Sequence, residues 1–211
     1  MTKLTPTPHF DHENRFAGQV VCGIDEAGRG PLAGPVVAAA VIIPAEQQPK
    51  AWVRDLRDSK LLTPEKREEL YEHITEHCLY GIGQADVQEI DRINILQATF
   101  LAMCRARGVL ISCDETLVAL VDGNLKPAGL TCQIVTLVKG DQHSCSIAAA
   151  SILAKVTRDR IMHQLCTAYP AYGFSNHSGY GTPAHLKALA EHGPCPAHRR
   201  SFKPVAASLI G

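Results

Sequence analysis

No stretch of this 211-residue sequence approaches the ~18 consecutive apolar residues of a membrane span, which argues against an integral helical membrane protein. Residues 1–16 are polar and lack the apolar segment of a secretory signal. Eight cysteines are present (Cys22, Cys78, Cys104, Cys113, Cys132, Cys145, Cys166 and Cys195), yet no two stand in C-x-x-C spacing. A zinc knuckle or a disulfide framework is therefore disfavoured, and the thiols read as buried, reduced groups of a cytoplasmic protein. Net charge is absent too: Lys plus Arg and Asp plus Glu number 21 each. That excludes nucleic-acid binding by bulk positive charge. The P-loop pattern G-x-x-x-x-G-K-[ST] is missing. Gly28, Gly30 and Gly34 form G-x-G-x-x-x-G, one residue off the dinucleotide fingerprint, and Pro31 and Pro35 spoil the helix that should follow.

What is present is an ordinary globular composition, 45% hydrophobic and 20% charged. Length predicts one domain over 19–211, preceded by a loose leader over 1–18. A monomer is the default. Charge is unevenly placed. Residues 139–203 hold eight Lys or Arg against three Asp or Glu, and six of the ten histidines. This later part is either a phosphate-facing surface or an ordinary solvated one.

Apolar, β-branched runs predict strands at 19–24, 36–43, 80–85, 117–121 and 133–138. Thr63-Pro64 is a helix start, with a hydroxyl cap and proline at the first position, and the helix is expected to reach about Cys78. Further helices are expected at 90–107, 146–165 and 183–191, with a Gly-, Tyr- and His-rich loop over 169–182. Short links between the first three strands and helices around the last two predict a mixed sheet. The first three strands would be antiparallel and the later two joined by crossovers.

Acids fall where strands stop. Ile24-Asp25-Glu26, Val121-Asp122-Gly123 and Lys139-Gly140-Asp141 each follow an apolar run. Strand ends at one edge of an α/β sheet line a common crevice, so Asp25, Glu26, Asp122 and Asp141 are candidates to converge. Clustered carboxylates repel unless protonated or bound to a cation, and an all-oxygen set favours Mg²⁺ or Mn²⁺. Two such ions activate water and stabilise a leaving oxygen in phosphodiester cleavage. Each acid taken alone is as well explained as a turn or cap residue, Asp-Gly being a common turn pair.

The block Gly-Ile-Asp-Glu-Ala-Gly-Arg-Gly-Pro-Leu-Ala-Gly-Pro-Val-Val-Ala-Ala-Ala-Val at 23–41 resembles the opening motif of type 2 ribonuclease H (ribonuclease HII). Asp58-Ser59-Lys60, Val-Asp-Gly-Asn at 121–124, Val-Lys-Gly-Asp at 138–141, Ala-Ala-Ala-Ser-Ile-Leu-Ala-Lys-Val-Thr-Arg-Asp at 148–159, Gly-Tyr-Gly-Thr at 179–182 and His-Arg-Arg-Ser-Phe at 198–202 continue it in family order. The resemblance implies a ribonuclease H-like α/β fold, a five-stranded mixed sheet flanked by helices, with a C-terminal helical and loop extension. It implies hydrolysis of the RNA strand of RNA–DNA hybrids and incision 5′ to single ribonucleotides in duplex DNA, leaving 3′-hydroxyl and 5′-phosphate ends.

On the same resemblance, Asp25, Glu26, Asp122 and Asp141 are the four acids that hold two Mg²⁺ or Mn²⁺ ions. Gly28, Arg29 and Gly30 match the segment whose backbone senses the ribose 2′-hydroxyl, and Tyr180 the tyrosine that packs on the neighbouring nucleotide. An aromatic face and 2′-hydroxyl recognition are what RNA-directed contacts need. Lys60 and Lys155 are candidate phosphate contacts or plain solvated lysines. Ser178 stands where the family commonly has a basic residue, so one phosphate contact is expected to be missing. The last residues, 204–211, show no sliding-clamp motif.

Overall fold

The computed structural model describes residues 7–110 and 117–209; Cys113 and the first six residues of the leader lie outside them. β1 (Val21–Ala27) and β2 (Val36–Ile42) open the chain's sheet. β2 is apolar and buried at every position, as a strand covered on both faces must be. α1 (Ala51–Arg54) is a single turn. α2 (Pro64–His77) starts at the expected cap, where the Thr63 hydroxyl accepts from the Lys66 amide. β3 (Leu79–Ala85) leads to α3 (Val87–Val109), which opens with a reciprocal capping box between Asp86 and Glu89. β4 (Val118–Asp122) and β5 (Gln133–Leu137) precede the long α4 (Cys145–Ala168). α5 (Phe174–His177), α6 (Pro183–His192) and α7 (Lys203–Ala207) form the C-terminal extension.

Among the described residues five strands form one sheet in the order β3-β2-β1-β4-β5. β1–β2 and β2–β3 are antiparallel, while β1–β4 and β4–β5 are parallel. This is the mixed sheet the link lengths predict. Strand alternation splits the core into two layers. Ala39 and Val41 pack with Ala148, Ala149, Ile152 and Leu153 of α4, and Leu70 and Ile74 of α2. Ala38, Ala40, Cys22 and Ile24 pack with Ala98, Ala102 and Met103 of α3 on the other face. Gly23 brings α4 directly onto β1, because any Cβ there would collide with the Ser146–Ile147 backbone.

Four differences from expectation have local causes. β1 runs on through Asp25 and Glu26, which pair with Ala39 and Ala38, so these acids lie inside the strand. α3 is longer than expected and kinks at Asn94 (φ 66°, ψ 163°). The Asn94 side chain accepts from the Leu96 and Gln97 amides and so caps the second segment. The loop 169–182 contains a 3₁₀ turn at Pro170–Tyr172 and α5. The leader is anchored from residue 9. His9 bridges Ser144, Phe10 and Phe16 pack into apolar clusters on the α4 side of the sheet, and buried Glu13 accepts from the Ser144 hydroxyl (2.7 Å) and the Ser146 amide (3.0 Å).

Candidate active site

The two parallel pairings bring the carboxyl ends of β1, β4 and β5 together. Asp122 ends β4 and accepts the Gly140 amide at 2.6 Å, tying that strand end to the turn Gly140–Gln142 that follows β5. Asp141 sits in the same turn. Asp25 shares the α4 side of β1 with Gly23 and accepts the Glu26 amide at 2.7 Å. Asp25 and Asp141 are each only 7% exposed.

Burial pushes the Asp25 carboxyl well above the usual carboxylate range, and the charges of Glu26 and Asp122 push it further. Glu26 is raised by burial too, against the pull of Arg29, whose guanidinium lies 3.2 Å away. Asp141 is pushed up to about 6 by burial, with the charges of Asp58 and Asp122 adding to it. Each acid is thus felt by others across three chain segments. Asp58 is a member of this electrostatic group that strand-end logic misses, because it lies in the connection before a 3₁₀ turn at Ser59–Leu61.

The donors are all carboxylate oxygens, and the raised proton affinity of Asp25, Glu26 and Asp141 marks a site that gains by taking up positive charge. That chemistry fits a hard divalent cation such as Mg²⁺ or Mn²⁺. Among the described residues no three Asp, Glu, His or Cys side chains stand close enough to form a ready-made metal cage. Asp25, Glu26 and Asp141 line a shared cavity rather than a finished coordination sphere.

That cavity measures about 330 Å³ and is lined by Asp25, Glu26, Ala27, Gly28, Arg29, Gly30, Ser59, Lys60, Asp141, Lys155, Arg158 and Tyr180. Of the ten residues singled out in the sequence, Asp122 alone is absent from the lining; its carboxylate accepts the amide of Gly140, the neighbour of Asp141. The Tyr180 ring is half exposed and stands against Gly30. Lys60 lies near Asp25 and Asp141; burial lowers its affinity for the proton, but the charges of Asp58, Asp25 and Asp141 raise it more. Lys155 pairs with Asp159 at 2.7 Å, which accounts for Asp159 as an ion-pair partner in α4. Another hollow, of about 430 Å³ beside α3, contains Glu89 and Arg105, whose charges are spent on each other.

Two buried arginines hold the glycine turn, and sequence reasoning missed both. Arg199 donates to the carbonyls of Gly34, Arg29 and Gly28 (2.9, 2.9 and 2.6 Å). Arg158 donates to those of Pro35, Ser178 and Ala33 (3.0, 3.0 and 3.1 Å). Gly28 adopts φ +95°, and a Cβ there would collide with the Arg158 guanidinium. With the Gly28 and Arg29 carbonyls turned toward Arg199, the planar trans peptides point the Arg29 and Gly30 amides the other way. Burial lowers the pKa of Arg158 to about 10 and of Arg199 to about 9.

The family model for ribonuclease HII matches residues 22–205. The chain belongs to the ribonuclease HII family. A ribonuclease HII from Paramagnetospirillum magneticum is 55% identical over 193 residues, covering 92% of this chain and 94% of that protein. The crystal structure of ribonuclease H2 from Pyrococcus horikoshii superposes with a TM-score of 0.69 at 28% identity, covering 89% of this chain and 96% of that one. Bst-RNase HIII in complex with Mn²⁺ shares the fold (TM-score 0.76, 21% identity, 93% and 71% covered). The five-stranded sheet with its flanking helices is accordingly ribonuclease H-like. As a ribonuclease HII, the chain is a hydrolase, an endonuclease that acts on RNA–DNA hybrids.

Among the described residues no helix is long and apolar enough to cross a membrane.

Proposed function

We propose that this ribonuclease HII is a metal-dependent endonuclease that cleaves the RNA strand of hybrids and incises 5′ to single ribonucleotides in duplex DNA, leaving 3′-hydroxyl and 5′-phosphate ends. One observation carries the proposal. Three of the acids, Asp25, Glu26 and Asp141, share a single cavity with an outward-facing pair of turn amides and an exposed tyrosine ring, and Asp122 bonds the turn that holds Asp141. Asp25, Glu26, Asp122 and Asp141 would hold two Mg²⁺ or Mn²⁺ ions. Bound there, such ions lower the pKa of a water and offset charge on a departing oxygen. Burial of Asp25 and Asp141 keeps competing solvent away from these acids. The Arg29 and Gly30 amides offer donors to a ribose 2′-hydroxyl, the group that separates RNA from DNA. Tyr180 offers a ring face to the adjacent nucleotide; Lys60 places positive charge beside the acids for a phosphate, while the charge of Lys155 at the same cavity is shared with Asp159.

An end-labelled duplex with one internal ribonucleotide, incubated with the protein and Mg²⁺, tests this beside an all-DNA duplex and an EDTA reaction. One cut on the 5′ side of the ribonucleotide, dependent on metal and absent from all-DNA, is the expected result. Equal cutting of both duplexes, or cutting in EDTA, overturns the proposal.

A further inference from the structure

Behind Tyr180 lie two fully packed histidines, His185 at 0% and His198 at 2% exposure. His185 belongs to α6, and His198 to the segment that also supplies Arg199. Their hydrogen bonds form a single chain. His185 Nδ1 faces the Tyr180 carbonyl oxygen at 2.9 Å. His185 Nε2 faces His198 Nε2 at 3.0 Å. His198 Nδ1 faces the Cys195 amide at 3.1 Å and the Cys195 thiol at 3.2 Å.

The partners decide the protons. A carbonyl can only accept, so His185 Nδ1 carries hydrogen. In a neutral ring Nε2 is then bare and must accept, which puts the hydrogen of His198 on Nε2. His198 Nδ1 is left bare and accepts the Cys195 N–H. Every polar atom of the chain is satisfied by this one arrangement. Adding a proton to His185 would force the His198 hydrogen onto Nδ1, against the Cys195 amide hydrogen. Adding one to His198 makes the same collision. Burial lowers both histidines' pKa, that of His198 to about 4 with His185 contributing.

The surroundings fix the rings. Phe174 meets His185 edge-on at 5.5 Å, and Tyr172 meets His198 at 4.8 Å. His177 stacks on His185 at 4.6 Å; its Nδ1 accepts the Gly179 amide and its Nε2 faces the Tyr172 carbonyl. The Tyr180 backbone is thus held from several directions, its amide donating to the His177 carbonyl and its carbonyl accepting from His185 and Thr182. The ring stands against Gly30 at the cavity.

We propose that His185 and His198 are positioning residues for Tyr180: a neutral relay, Cys195 N–H to His198 to His185 to the Tyr180 carbonyl, sets where the tyrosine ring meets the substrate. Through the adjacent Arg199, the same short segment sets the Gly28–Gly30 turn, so residues 195–199 register the two substrate-facing pieces against each other. The inference rests on the nucleotide-packing role given to Tyr180 above.

Two measurements test it. Nitrogen-15 NMR of the full chain at pH 7, with histidine signals assigned by substitution, should show hydrogen on Nδ1 of His185 and on Nε2 of His198. A cationic ring, or the opposite tautomer at either position, overturns the relay. The second is a double-mutant cycle on the single-ribonucleotide duplex, using His198→Phe, Tyr180→Ala and the pair. His198→Phe should lower kcat/KM on the order of 10- to 10²-fold, the scale of a misplaced contact, and the loss should largely vanish in the Tyr180→Ala background. A Tyr180→Ala defect with an additive His198→Phe loss overturns the positioning role alone. Unchanged cleavage by Tyr180→Ala overturns the substrate role of Tyr180 and the relay's function with it.

Discussion

At the residue scale, the four acids differ in what surrounds them, and that difference makes separable predictions. Asp25 is buried and meets the charges of Glu26, Asp122 and Asp141. Asp25→Asn should lower turnover by at least roughly 10²-fold, the scale of removing one charge-stabilising group from an active site. Hybrid binding should persist, because the glycine turn and Tyr180 are untouched; a gel-shift titration beside the cleavage assay reads both. Asp141 carries a linked stability effect. Its pKa is about 6 in the folded protein against 3.8 for the free side chain. Between those values the folded state holds a proton the unfolded state has lost. Stability therefore falls as pH rises from about 4 to about 6, and the deficit persists above. Asp141→Asn removes that deficit and should stabilise the metal-free protein at pH 7.5 by on the order of 1–3 kcal/mol. Thermal melts in EDTA at pH 5 and pH 7.5 test it: a variant less stable than the parent at pH 7.5 would refute the assignment.

At the element scale, the glycine turn between β1 and β2 owes its shape to side chains far away in sequence. Arg199 serves three carbonyls of the 28–34 segment at once with its planar fork, a task a lysine ammonium cannot repeat. Arg199→Lys should leave at least one buried carbonyl unpaired, costing about 1–3 kcal/mol, and should relax discrimination between ribose and deoxyribose at the cut site. Melting temperature and the ratio of cleavage rates on mixed and all-DNA duplexes report the two effects; a lower melting temperature with unaltered discrimination would mean the turn does not read the sugar. This dependence also shows what could be read from sequence. Strands at 36–42 and 133–137 and the capped start of α2 are local in origin, so periodicity and caps revealed them. The acids at 122 and 141 were legible because each follows an apolar run and borders a glycine. Arg199 bonds Arg29 across 170 positions, and His185 bonds His198 only after α6 is packed. Periodicity carries no trace of such pairings. Arg158 neighbours Asp159 in sequence, yet Asp159 pairs with Lys155 and Arg158 turns inward to carbonyls.

At the scale of the whole molecule, the zero net charge conceals an asymmetry that folding partly erases. Residues 139–203 carry eight basic side chains, but Arg158 and Arg199 are buried and committed to carbonyls, and Lys155 is paired with Asp159. Fewer cations than the sequence suggests therefore face a duplex, and Ser178 adds none. Each phosphate neutralised by a protein cation contributes about −0.9 to the slope of log affinity against log salt. If Lys60 and a few exposed residues such as Lys139 and Arg200 make the contacts, roughly two to four phosphates are involved and the slope should lie near −2 to −4. The measurement is hybrid affinity by fluorescence anisotropy across sodium chloride concentrations, with Ca²⁺ in place of the working ion to stop cleavage. A slope beyond about −6 would require a basic footprint that this surface does not possess, and would point to a cationic partner surface from a second copy of the chain. A slope within the expected range makes shape and the cavity's own contacts the main source of recognition. Affinity at physiological salt would then depend more on the positioned turn and tyrosine ring than on bulk charge.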